Sequence, residues 1–191
     1  MSTNSVVEYL NEDGSVVSSY VHYDGYETGV GMMLLEHYNT DKCARDLAST
    51  LGYASSLSET VAESHADRVH TDEPETFESM EEFELYLMEN SHLEFGYLWT
   101  GGKWMVSSWT TTVEGIGRYA EYKSTWNGFS WLVASFVRSG RKVVDRFRDM
   151  ALEDNRDGRN EYDEYADELE AVVNKWHRYG MGEVATEAMA A

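Results

Sequence analysis

Residues 21–31, Val-His-Tyr-Asp-Gly-Tyr-Glu-Thr-Gly-Val-Gly, gather more chemically capable groups than any other stretch of this chain. His22, Asp24 and Tyr26 would project from a turn, while backbone amides from Gly29 to Gly31 would face an anion at a helix start. Such a set describes a small-ligand or nucleotide site, or an enzyme built around one. The competing reading is architectural. Asp24-Gly25 is an ordinary turn pair, Gly29 and Gly31 permit close packing, and the aromatic rings supply core. The Gly-x-Gly also lacks the third glycine of a dinucleotide loop. Architecture is the stronger of the two readings.

Other reactive residues form weaker sets. His22, Asp24, Glu36 and His37 are near in sequence, but adjacent Glu36 and His37 would point about 100° apart on a helix, unlike i, i+4 co-ligands. His65 and His70 fall in a polar stretch without a scaffold, so no metal site is expected. Cys43 is the single cysteine. It sits beside Leu47 on an apolar stripe, where an inert thiol belongs. The serines at 55, 56, 107 and 108 lack a nucleophile-elbow setting. No pattern calls for a cofactor, and no reaction is named; an enzyme is the less favoured class.

Charge is the loudest signal, at −20 over 191 residues. Residues 1–95 hold twenty acids against three bases, and the segment Glu59–Glu94 alone holds twelve acids and one arginine. Direct nucleic-acid binding is therefore disfavoured. The densest acids are Glu73, Glu75, Glu78, Glu81, Glu82, Glu84 and Glu89. One account is a solvated face. The other is a partner-binding surface aimed at a basic groove, with nucleic-acid mimicry as its extreme. A helix over residues 76–90 would span about 22 Å, along which duplex DNA carries about thirteen charges. The helix supplies fewer than half, so mimicry would need its loop, the acidic face of 160–170, or a homodimer.

The elements that would position these residues read as α+β. Ser5–Leu10 and Ser15–Tyr23 flank Asp13-Gly14, and 94–99 and 103–109 flank Gly101-Gly102; both pairs predict β-hairpins in a small antiparallel sheet. Short helices are expected after Gly29 and after Asn39 or Thr40, the second ending at Gly52. Residues 55–76 read mostly as loop, and Thr76 as the cap of the acidic helix. Glycines at 115 and 117 argue against a long regular element over 110–127. Two C-terminal helices follow, one from Phe129 to Met150 with a break expected near Gly140, the other over 160–178. The expected organisation is an α+β domain over 1–110, a helical lobe over 111–180 and a loose tail over 181–191.

The blocks His22–Asn39, Gly52–Leu57 and Phe95–Val106 resemble a family of small, largely uncharacterised phage proteins. Those carry a His-Trp-Asp-Gly-Tyr-Pro signature, a downstream Ser-Ser-Leu and a late Gly-Lys-Trp hairpin. Here Tyr23 stands for the Trp and Glu27 for the Pro, which leaves the turn less rigid. The two C-terminal helices fall outside the likeness. It implies a phage origin and no catalytic residues.

No run of eighteen apolar residues is present, so no membrane span is expected. The first residues lack a basic region followed by an apolar stretch, so no secretion signal is expected either. With one cysteine, this suggests the host cytoplasm. The basic stretch Arg138, Arg141, Lys142, Arg146 and Arg148 is expected to face an acidic neighbour such as helix 160–178. The tryptophans are expected in the core, with those of the second hairpin the alternative partner patch. The expected function is an acidic phage accessory protein that binds and inhibits a host protein, in host takeover or anti-defence.

Overall fold

The computed structural model describes residues 3–66, 72–90, 92–114, 121–153 and 161–181. His70, residues 154–160 and the expected tail beyond 181 lie outside the described residues. The chain divides into two units, Met1–Trp131 and Leu132–Ala191. The boundary thus falls at the start of the first C-terminal helix rather than near residue 110.

Among the described residues, the first unit is built on eight strands. β1 (Ser5–Leu10) and β2 (Val16–Val21) form the first hairpin, and β5 (Phe95–Thr100) and β6 (Lys103–Glu114) the second. Gly101 and Gly102 take φ of +57° and +77°, the left-handed pair that a two-residue hairpin turn needs. The hairpins join through β1 and β5, which run parallel, with Val7 opposite Tyr97. β3 (Tyr53–Ala54) also pairs parallel with β2, while β4 (Glu75–Phe77) pairs antiparallel with its other half. The sheet is therefore mixed, not purely antiparallel. β6 continues past the expected end to Glu114 and pairs with β7 (Glu121–Trp126). The threonine-rich run 110–112 favours strand, and the glycines that argued against one lie beyond its end. β8 (Ser130–Trp131) pairs with β6.

Alternation along β1 assigns the two faces. Val7 and Tyr9 look toward α1 (Met32–His37) and α2 (Asp41–Thr50), where Trp104 donates its indole N–H to the Tyr38 carbonyl at 3.1 Å. Ser19 on that face donates to the Ala48 carbonyl and accepts from the Gly52 amide, stitching α2 to β2. Trp99 and Trp104 are buried, so the second hairpin offers no tryptophan patch there. Val6, Glu8 and Leu10 look to the opposite face. There Val6, Val16, Phe77 and Leu98 pack with Phe83 and Leu87 of α4 (Met80–Glu89).

α4 starts later than the sequence reading placed it. Thr76 lies in β4, and Ser79 is the cap, its hydroxyl accepting from the Glu82 amide. The Glu82 carboxylate reaches back to the Glu78 amide at 2.7 Å, much as a capping box does. Glu75, one residue before the expected cap, is a strand residue opposite Ser18. The expected loop 55–76 also contains α3 (Val61–Ala66), whose Thr60-x-x-Glu63 box is made in both directions.

The second unit holds α5 (Leu132–Glu153) and α6 (Glu161–Gly180). α5 runs unbroken through Gly140, where one weak helix former is outweighed by the apolar stripe around it. Phe147 stacks with Tyr162 and Tyr165, and Arg148 makes ion pairs with Asp163, Asp167 and Glu170. The basic stretch thus meets an acidic neighbour through Arg148.

Candidate functional site: an acidic helix beside a tyrosine-lined cavity

The Val21–Gly31 corner is held by its own backbone. Asp24 takes a φ of +59°, and its carbonyl accepts from the Val30 amide at 2.8 Å. The amides of Gly29 and Gly31 both donate to the Tyr26 carbonyl, closing a π-helical turn over Glu27–Gly31. All three amides that an anion would need are therefore engaged within the turn. Gly29 is required by contact, since a Cβ there would lie 2.2 Å from the Asp24 carbonyl oxygen. Gly25 is likewise pressed against Thr3, at 2.6 Å. Tyr26 donates to Asp24 at 3.1 Å. Asp24, Tyr26 and Gly29 do share a recess of about 250 Å³ with Met32, Met33 and Leu57. His22 is not among its lining residues; its ring packs on Tyr23 and Tyr53, and its Nδ1 meets the Tyr20 hydroxyl. Among the described residues, no three His, Cys, Asp or Glu side chains gather as metal ligands.

The seven glutamates are all exposed. Among the described residues, the ion pairs join Arg45 to Asp41 and Arg148 to α6, and none involves these seven. Helical spacing puts Glu81, Leu85 and Met88 on one outward line, with Glu84 on one flank and Glu82 and Glu89 on the other. Leu85 and Met88 are each 49% exposed, two large apolar side chains inside a ring of carboxylates. No helix among the described residues is long and apolar enough to cross a membrane.

Glu73 and Glu75 belong to a second feature. With Asp72, Tyr20, Tyr53 and Tyr86 they line a cavity of about 310 Å³ over the α4 face of the sheet, floored by Val6, Ser18 and Gly52. Tyr20 and Tyr53 are cross-strand neighbours with ring centroids 5.5 Å apart. Tyr86 enters from α4 and packs on Phe77. Burial pushes the Tyr86 hydroxyl up to about 12, and the Glu75 charge, its hydrogen bond and the charge of Glu8 add to that.

Glu8 is the residue that sequence reading passed over. It is opposite Ser18 in the register and completely buried. No well-formed hydrogen bond reaches either carboxylate oxygen among the described residues. Burial raises its pKa well above the ordinary value, against a smaller opposing pull from the Tyr97 backbone. The signal was present in Ser-Val-Val-Glu-Tyr-Leu: period-2 alternation puts Glu8 on the same side as Val6 and Leu10. The three tyrosines had no such signal, because they come from three distant elements. No protein family, curated protein or solved structure matches this chain.

Proposed function

We propose that this is a phage accessory protein acting in the host cytoplasm, which binds a basic surface of a host protein through α4 and its flanking acids and thereby inhibits it. One observation carries the reading: seven exposed glutamates without a cationic partner among the described residues, four of which, Glu81, Glu82, Glu84 and Glu89, flank exposed Leu85 and Met88. The contrast lies in the same chain, where Asp163, Asp167 and Glu170 of α6 are met by Arg148. Like charges left facing solvent oppose folding, and a cationic partner relieves that repulsion while the field speeds its approach. The apolar pair gives the contact a dehydrated centre. The phage and host assignments rest on the resemblance in sequence.

Mimicry of duplex DNA by this helix alone is undersupplied. Ten residues span about 15 Å, where DNA carries about nine charges, and α4 itself brings four glutamates, at 81, 82, 84 and 89. Docking on a protein surface needs no such density. The test is affinity capture from infected cells, comparing the natural chain with a variant carrying Glu78→Lys, Glu81→Lys, Glu84→Lys and Glu89→Lys. The natural chain is expected to retain a host protein that added salt releases, and the variant to lose it. Equal capture by both at every salt concentration would refute the electrostatic docking.

A further inference from the structure

We propose that the cavity between β2, β3, β4 and α4 is a receptor for one arginine side chain of the protein partner, held by its guanidinium group. The inference rests on the docking reading above and names the chemical group that anchors it.

Three properties of the cavity select that group. Its walls are the rings of Tyr20, Tyr53 and Tyr86, and its mouth carries the carboxyl groups of Asp72, Glu73 and Glu75. Aromatic faces attract cations, and carboxylates at the same site accept their N–H groups. A quaternary ammonium has no N–H to offer those oxygens, and a lysine ammonium does not stack. A planar guanidinium does both. Among the described residues, the lining holds no lysine, arginine or histidine. At about 310 Å³ the space is at the small end of ligand sites, suited to a side chain. Position matters too: Tyr86 lies on α4, so a partner lying along the acidic helix passes the mouth.

The test is an NMR titration of the full chain, carrying ring-labelled tyrosine, with N-acetyl-arginine methylamide and its citrulline and lysine counterparts. Citrulline keeps the shape of arginine and removes the charge. The arginine derivative is expected to shift the Tyr20, Tyr53 and Tyr86 signals saturably, with the citrulline compound at least about tenfold weaker and lysine intermediate. Glu75→Gln and Tyr53→Leu should each weaken arginine binding about fivefold or more, while Tyr53→Phe, which keeps the ring face, stays within about twofold. Glu164→Lys, on α6, serves as a control and leaves the affinity unchanged. Equal binding of citrulline, unaltered affinity in Glu75→Gln and Tyr53→Leu, or shifts confined to tyrosines other than Tyr20, Tyr53 and Tyr86 would overturn the proposal. The titration contains no partner protein, so a failure of host-protein docking does not alter its result, and its failure leaves the capture result standing.

Discussion

Replacing Glu8 tests the burial of this carboxyl group directly. Its pKa is raised from an ordinary 4.5 because burial penalises the charged form. The folded chain therefore keeps a proton that the unfolded chain releases. Stability is greatest below the ordinary carboxylate pKa and is lost as pH rises toward the raised one, at about 1.4 kcal/mol per pH unit inside that window. Glu8→Gln keeps the shape and removes the titration. Glu8→Met also removes a buried polar group without a well-formed hydrogen bond, whose burial costs about 1–3 kcal/mol. Urea unfolding of the three proteins at about pH 5, 6 and 7 separates this effect from the chain's other carboxyls, which are common to all three. The advantage of Glu8→Gln over the natural chain should grow with pH until the folded pKa is passed, then level off. Glu8→Met should be the most stable throughout. A constant difference across the range would mean that the carboxyl stays ionised in the fold, and the reasoning would fail.

Gly29→Ala places a Cβ 2.2 Å from the Asp24 carbonyl oxygen, whereas nothing lies within 4 Å at Gly128. Thermal unfolding should show Gly29→Ala destabilised by about 1–3 kcal/mol and Gly128→Ala near neutral. Thr40→Ala removes the hydroxyl that accepts from the Cys43 amide at the start of α2, with an expected loss of about 1 kcal/mol in the same assay. Tyr38 and Tyr86 are both pushed up to about 12. The folded state then holds protons that the unfolded state gives up, so stability should fall as pH rises from about 10 toward 12. Tyrosinate absorbance should show those residues titrating late, and Glu75→Gln should bring Tyr86 down.

Both hairpins could be read from the chain because their causes are local: β-rich runs separated by Asp13-Gly14 or Gly101-Gly102. The cap of α2, expected at Asn39 or Thr40, and the two C-terminal helices were readable for the same reason. The late start of α4 was not. Thr76 and Ser79 are both able caps, and the choice fell to Phe77, which pairs opposite Val16 in β4 and occupies the core. Its partner lies some sixty residues away, beyond any local pattern.

The charge of the acidic segment was fixed by composition alone, and so was the face of β1 to which Glu8 belongs. Which acids remain without a cation among the described residues depended on tertiary structure, since Arg148 finds α6 only once α5 and α6 are packed together. The same holds for the cavity. Tyr20, Tyr53 and Tyr86 meet because β3 joins β2 in parallel and α4 closes over the sheet, and such contacts arise from packing between elements that no nearest-neighbour preference encodes.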